Sequence, residues 1–451
     1  MNHRRKNRFS AEGVYLVSLG CPKNLVDSEV MAGILLTNGI LLNFDKNSAE
    51  YYLINTCAFL PGARSECESA ILEGIRWKKQ APGIRKLIVA GCLIQQDKEN
   101  KIRSKYPEVD AWSGVDGVSD VFKTFQAAQD GYTAGDTAEP TYLYNENTPR
   151  LQLTLPHVAY LKISDGCNNR CAYCSIPLIR GSLRSRSIES VLAEAKNLIA
   201  NNVKELIVIA QDVTAYGADR NDETTLAKLL HEMDKLDGDF FIRLLYTHPA
   251  HYTDEFFAEY AVNKHIAPYL DIPLQHINSD ILLKMGRKTD RKTIEDVLAK
   301  IRTARPETAV RTTFITGLPG ESEAEFAELM EFVQTQKFAR LGVFSYSPEP
   351  GTPAAERTDR VETAVAEERA GKIMALQEKI ALEHNKNLIG KTLTVICDEA
   401  DGRSGAGRSF ADAPDIDNIV YFSGNKRLKA GEIYQVQITE AETFDLYGKL
   451  C

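Results

Sequence analysis

The chain has 451 residues, of which 43% are hydrophobic and 26% charged, and a formal net charge of −8. At roughly 150 residues per domain, that length suits about three domains, each with enough apolar material for its own core. The acidic balance excludes a protein that coats nucleic acid over its whole surface and suits a basic protein partner better. No stretch approaches the ~20 apolar residues of a membrane span. The apolar run 14–19, behind the basic start MNHRRKNRFS, is too short for a signal-peptide core. A cytoplasmic, reduced setting is therefore expected. There, nine cysteines are metal ligands or free thiols rather than disulfides.

Taken in chain order, VYLVSL (14–19), YYLINT (51–56) and KLIVAG (86–91) read as short β-branched and aromatic strands. The stretches between them are long enough for crossover helices, which predicts a parallel α/β sheet. Residues 130–156, rich in Thr, Pro, Gly and Asn, read as a linker. From Val158 the alternation resumes with six strand candidates, VAYLKIS (158–164), ELIVIAQ (205–211), FIRLLY (241–246), YLDIPLQ (269–275), VRTTFIT (310–316) and LGVFSYS (341–347). A helix over 187–202 has Ser187 as its N-cap. Six β/α units predict an open, partial barrel rather than a closed eight-fold one. A long charged helix spans 361–388, and the strands TLTVICD, NIVYFSG and EIYQVQITEA after Gly390 predict a small all-β, OB-like barrel.

The strongest local signal is Cys167-Asn-Asn-Arg-Cys171-Ala-Tyr-Cys174, a C-x3-C-x2-C loop just after a strand. Thiolates are soft ligands for iron–sulfur clusters or zinc. Three of them are one short of the usual four, which leaves a metal position open for chemistry. A structural zinc completed by a distant ligand is the competing reading of the same residues. In the N-terminal region Cys21, Cys57 and Cys92 each follow a predicted strand, so a parallel sheet would gather them on one edge. Cys67 falls within the helical stretch after Cys57, and Cys67, Cys397 and Cys451 have no assigned role.

The C-x3-C-x2-C spacing, Tyr173 before its last cysteine and the six-unit domain resemble the radical S-adenosylmethionine (SAM) superfamily. That resemblance implies a 4Fe-4S cluster on Cys167, Cys171 and Cys174, whose open iron binds SAM. An electron then splits SAM into methionine and a deoxyadenosyl radical, which removes hydrogen from an unactivated carbon. By the same resemblance Tyr173, Gln211, Asp212, Gly317, Gly320 and Glu321 are cofactor-binding: Gln211-Asp212 at the methionine amino group, Gly317-Leu-Pro-Gly320-Glu321 near the adenine. The last motif also reads as an ordinary strand-to-helix turn. His276, in PLQH after the fourth strand, is expected to face the same mouth and touch substrate, although a lone histidine is commonly structural.

LGCPKNLVDSE (19–29), NTC (55–57) and AGC (90–92) resemble the methylthiotransferase family. This implies a second 4Fe-4S cluster on Cys21, Cys57 and Cys92 that carries or donates sulfur, with two SAM molecules used per turnover. It also divides the chain into a methylthiotransferase domain over 10–128, a linker over 129–152, a radical-SAM core over 153–380 and a TRAM domain over 381–451. One branch of the family modifies a transfer-RNA adenosine. The other modifies the β-carbon of an aspartate in ribosomal protein S12. CPKNLVDSE, AQDVTAYG (210–217), PLQHINSDILLKMGR (273–287), GRSFADAPDIDN (407–418) and FDLYG (444–448) resemble the ribosomal-protein branch. SPEPGTPAA (347–355) departs from it, with Pro350 where Glu is expected.

Charge agrees with a protein substrate. From Ala381 onward there are eight Lys/Arg against eleven Asp/Glu, and Asp412, Asp415 and Asp417 are expected to meet a basic ribosomal-protein surface. Lys426, Arg427 and Lys429 leave room for a minor RNA contact. The resemblance implies S12 as partner, free or on the small subunit, and an electron donor such as flavodoxin or ferredoxin. An iron–sulfur carrier or redox-sensing binding protein is the alternative outside enzymes. It would have no use for a SAM pocket.

Overall fold

The computed structural model describes residues 13–131 and 138–451. The basic start of the chain and six residues of the expected linker lie outside them. The described chain forms two compact units: residues up to Leu153 together with Ile176–Ser182, and Thr154–Ser175 together with Leu183–Cys451. Among the described residues no helix is long and apolar enough to cross a membrane.

The N-terminal unit is a five-stranded parallel sheet of β1 (Gly13–Ser18), β2 (Leu41–Leu42), β3 (Tyr51–Thr56), β4 (Lys86–Gly91) and β5 (Ala111–Ser113), in the order β2-β1-β3-β4-β5. Every residue of β3 is buried, as a parallel strand covered on both faces requires. Helices α1 (Pro22–Thr37), α2 (Pro61–Lys79), α3 (Cys92–Gln96), α4 (Lys101–Lys105) and α5 (Val121–Asp130) complete this unit, with α6 (Ile176–Arg180) from later in the chain. Proline opens both α1 and α2, where its missing N–H costs nothing. Glu29, fully buried on α1, is matched by the Arg150 guanidinium at 2.6 Å and the Leu153 amide at 2.7 Å. This pins residues 150–153, part of the expected linker, to the domain.

In the second unit β6 (Val158–Lys162) leads into a short antiparallel pair, β7 (Ser164–Asp165) with β8 (Arg184–Ser185). An all-parallel sheet follows through β9 (Glu205–Ile209), β10 (Phe241–Leu244), β11 (Ile266–Gln275), β12 (Ala309–Thr316) and β13 (Arg340–Ser345). The order β13-β12-β11-β10-β9-β6 is open, the expected partial barrel. Helix α7 (Ile188–Ala200) starts at Ser187, whose hydroxyl accepts from the Ser190 amide as expected. Helices α8 (Leu226–Asp234), α9 (Asp254–Val262), α10 (Ser279–Lys284), α11 (Arg291–Ala304), α12 (Glu323–Gln336) and the long α13 (Thr363–Lys386) follow. The chain ends in a closed barrel of β14 (Thr392–Asp401), β15 (Ser404–Ser409), β16 (Val420–Ser423), β17 (Ile433–Ala441) and β18 (Leu446–Leu450).

Buried ions join this barrel to the sheet. Glu205, at the start of β9, pairs with Arg243 of β10 at 2.6 Å and with Arg408 of β15 at 2.7 Å. Arg243 also donates to the Phe410 carbonyl and lies 4.7 Å above the Tyr269 ring. Burial opposes the Glu205 charge, but the two guanidinium groups outweigh it and hold the carboxyl below its ordinary range. Removing one partner strands buried charge, so Glu205→Gln should cost about 3 kcal/mol, read as a lower Tm at neutral pH. A lowered folded-state pKa adds stability above the unfolded value of about 4.3 and loses it as pH falls through the folded one. The variant should lack that part of the acid-side loss.

Candidate active site

In the N-terminal unit three cysteines stand where strands end. Cys21 caps α1 after β1, Cys57 follows β3, and Cys92 opens α3 after β4. The parallel order β1-β3-β4 puts these ends side by side. Two glycines show how tightly the loops converge. Gly20 has φ +93°, and a Cβ there would lie 2.8 Å from Cys57 Sγ; Gly91 has φ +100°, and its Cβ would meet Asn55 Oδ1 at 2.4 Å. Both positions therefore require the left-handed backbone and the absent side chain. The loops are laced together: Asn55 donates to the Asn24 carbonyl at 2.9 Å and Ser28 Oγ at 2.8 Å, and Thr56 donates to the Ala90 carbonyl at 2.6 Å.

Charge at the three thiols is uneven. Burial pushes the Cys92 thiol up to about 12 and also raises Cys57. At Cys21 burial acts the same way, but Lys23, Arg180 and the Asn24 and Lys23 amides outweigh it and bring the thiol below its ordinary value. Each of the three is under the field of Arg180, and Cys57 and Cys92 both feel Cys21. Cys67, for which the sequence offered no role, braces this site: its Sγ accepts from the Cys57 amide at 3.2 Å and donates to the Cys57 carbonyl at 3.3 Å.

In the second unit the 167–174 loop follows β7, at the carboxyl edge of the open sheet. Neighbouring loops hold its backbone, with the Ala172 amide donating to the Met285 carbonyl at 2.7 Å and the Ala354 amide donating to the Ala172 carbonyl at 2.9 Å. Arg287, buried after α10, donates to Tyr173 Oη at 3.0 Å and the Pro273 carbonyl at 2.8 Å and lies 3.9 Å from Cys171 Sγ. Asn169, inside the loop, donates to Asp212 at 2.6 Å, and His251 Nδ1 lies 2.7 Å from the same carboxylate. Gln211 donates to Asp165 at 2.8 Å. Burial pushes the Cys167 thiol up to about 11 and His248 down to about 2, so the His248 imidazole is neutral. Ser164 Oγ, Ser175 Oγ, Gln211 Oε1, His248 Nε2 and Arg287 Nε are buried without a hydrogen-bond partner. Buried polar atoms are normally paired, so orphans on several strand-end loops fit a polar ligand laid against three soft thiols.

The comparisons agree with this geometry. Residues 161–333 match the Radical SAM superfamily, 13–114 the uncharacterized protein family UPF0004 and 389–451 the TRAM domain. The chain is 41% identical over 439 residues to the ribosomal protein uS12 methylthiotransferase RimO of Desulforamulus reducens, covering 96% of this chain and 98% of that one. It is 42% identical over 446 residues to the protein of the same name from Anaeromyxobacter sp. (strain K), covering 98% and 93%. The chain belongs to the RimO methylthiotransferase family.

As a RimO-family member it is a radical-SAM enzyme with an iron–sulfur cluster and SAM as cofactors, which sets aside both the zinc reading and the non-enzymatic carrier. The radical SAM methyltransferase TsrM from Kitasatospora setae, solved with cobalamin and a 4Fe-4S cluster, shares the fold at TM-score 0.58 and 15% identity, over 76% of this chain and 77% of that one. The cobalamin-dependent radical enzyme OxsB, solved with aqua-cobalamin and SAM, does so at 0.53 and 13%, over 82% and 56%.

Several expected site residues have protein partners. His276, expected at the mouth, is enclosed by protein groups. It is fully buried, its Nδ1 accepts from the Asn278 amide at 3.0 Å, and its Nε2 lies 3.5 Å from Glu321. Glu321 in turn accepts from the Gly317 amide at 3.0 Å and from Arg369 at 2.6 Å, so its carboxylate braces the loop. Gly317 and Gly320 both take positive φ in that turn. Tyr173 packs, partly buried, against the cluster of Ala172, Ile281, Met285, Leu318 and Ala354. Asp412 and Asp417 are not a free acidic face: Asp412 is buried on Arg340 at 2.5 Å, and Asp417 accepts from Tyr269 at 2.7 Å and lies 3.4 Å from Arg311. Asp415 alone of the three is exposed.

Arg180, Arg287, Asn169 and His248 were not singled out from sequence. Arg287 and Asn169 lie inside quoted motifs, KMGR and CNNRC, but nothing in the one-dimensional pattern says which motif residue meets a thiol. A methyl group at Gly20 would collide with Cys57. Gly20→Ala should therefore force the Cys57 loop away and strain the left-handed backbone, read as a lower Tm than the parent's with an unchanged far-UV circular dichroism spectrum.

Proposed function

We propose that the chain attaches a methylthio group to the β-carbon of an aspartate in ribosomal protein uS12, the substrate named for its relatives. The observation that carries this reading is the pair of cysteine trios. A radical enzyme that only cleaved SAM would need the 167–174 loop alone. A second trio on a sheet edge, with Cys57 and Cys92 buried and Cys21 half-buried, suits a second 4Fe-4S cluster. When bound, the cluster on Cys167, Cys171 and Cys174 supplies the electron that splits SAM, and that on Cys21, Cys57 and Cys92 supplies a sulfur that SAM can methylate.

The chain's residues then have separable tasks. Gln211, with Oε1 free and Nε2 fixed on Asp165, orients the amino-acid end of SAM, and neutral His248 offers its buried Nε2 to the same ligand. Asp212 is tied to Asn169, Thr214 and His251, so it fixes the cysteine loop against β9 instead of touching SAM. Arg287 holds Tyr173 and so sets the loop's last turn. Electrons come from a small carrier such as flavodoxin or ferredoxin.

Recognition of the basic substrate falls to exposed groups. Asp415 remains available on the barrel, while Asp412 and Asp417 serve its attachment to the sheet. Tyr421, 39% exposed and stacked on Tyr447 at 5.5 Å, offers with Lys426, Arg427 and Lys429 the means of a minor RNA contact on the ribosome.

Cys167→Ala, Cys171→Ala and Cys174→Ala should each abolish deoxyadenosine formation under reducing, anaerobic conditions. Cys21→Ala, Cys57→Ala and Cys92→Ala should keep SAM cleavage but lose methylthiolation. In a deletion strain, mass spectrometry should find uS12 without its methylthio increment and transfer RNA unchanged. Loss of methylthioadenosine with an unaltered uS12 mass would move the chain to the RNA branch.

A further inference from the structure

Arg180 is the last residue of α6 and lies six positions after Cys174 in sequence, yet it packs within the N-terminal unit. It is 3% exposed. One terminal nitrogen donates to Asp27 Oδ2 at 2.6 Å; the other donates to Asn24 Oδ1 at 3.3 Å and to Cys92 Sγ at 3.2 Å. Asp27 and Asn24 sit on α1, three residues apart and therefore on one helical face. Cys21 caps the same helix, three residues before Asn24. The motif Cys21-Pro-Lys-Asn24-Leu-Val-Asp27 thus presents a thiol, an amide and a carboxylate, and Arg180 engages the last two while its field reaches the first.

An ion pair with Asp27 alone would not need the second nitrogen at sulfur. Arginine's planar fork can fix one donor pair on a carboxylate and aim another elsewhere. Here the other meets Cys92, within range for an N–H to sulfur hydrogen bond. Hydrogen bonds to ligating sulfur withdraw electron density and stabilise a cluster's reduced, more negative form. In a buried site that effect is little screened by salt.

We propose that Arg180, clamped by Asp27 and Asn24, is a positioning residue for the sulfur-side cluster, orienting Cys92 and favouring the cluster's reduced form through an N–H to sulfur bond. The proposal rests on the second-cluster reading and extends it to a residue outside the three ligands. Asp27 and Asn24 both hold the guanidinium group. They act through Arg180.

The test uses the full chain carrying Cys167→Ala, Cys171→Ala and Cys174→Ala, reconstituted anaerobically with iron and sulfide, so that only the N-terminal trio can hold a cluster. Iron per chain and the midpoint from an EPR-monitored titration are compared for Arg180, Arg180→Lys and Arg180→Gln. The expected result is retained iron with a reduction equilibrium constant at least ten-fold lower in Arg180→Gln, about 59 mV for a one-electron couple. Arg180→Lys should fall between, since it keeps the charge but loses the fork. Should Arg180→Gln hold no iron, the Arg180→Lys midpoint decides in the same sense. Unchanged midpoints with full iron overturn the proposal. Iron lost from both variants also overturns it, by assigning Arg180 to retention of the metal alone. No iron in the parent overturns the second-cluster reading, and Arg180's role with it.

Discussion

A parallel sheet delivers every strand's carboxyl end to the same edge, and both thiol trios depend on this constraint. In the N-terminal unit it gathers Cys21, Cys57 and Cys92, which stand 36 and 35 residues apart in the chain. In the second unit it sets the compact 167–174 loop beside the loops after β9, β10 and β11. The trios gather three thiols by opposite routes: one spreads its cysteines over three strands, the other packs them into eight residues. The spread version needs more support. Gly20 and Gly91 leave room for the loops to touch, Asn55 and Thr56 bond across them, and Cys67 bonds both backbone groups of Cys57.

Much of this was legible because periodicity and strand chemistry are local. YYLINT and KLIVAG form strands over the residues read from sequence, and the six strands of the second unit appear with ends moved by at most a few residues. β15 was missed because SGAGRS, with two glycines in six residues, reads as a turn. β2 and β5 were missed because two or three residues carry no period. The cysteine trios were visible since each follows a strand, which is itself a local property.

What the sequence hides has a different cause. Exposure and partnership are non-local. Asp412 pairs with Arg340, 72 residues away, and Asp417 with Tyr269, 148 residues away, so an apparent acidic surface cluster proved to be half of a buried ion network. Burying an unpaired carboxylate is costly, and the sequence does carry the matching arginines. It does not say which acid meets which. His276 and Glu321 repeat the pattern, two polar residues on separate loops that face each other inside the fold.

Arg180 is the sharpest instance, because sequence position points the wrong way. Its helix follows Cys174 directly and would be grouped with the 167–174 loop by position along the chain, yet Ile176–Ser182 folds with the other unit. The physical need is plain once the thiols are placed. Burial alone drives Cys57 and Cys92 toward their neutral, non-ligating form, and metal binding requires thiolates. A buried cation lowers that barrier only if it is held where it cannot pair fully with its own carboxylate, and the split of the Arg180 fork between Asp27 and Cys92 meets that condition. The short stretch after the 167–174 loop therefore carries a residue that bonds a thiol of the N-terminal trio, and one continuous segment of chain serves both trios.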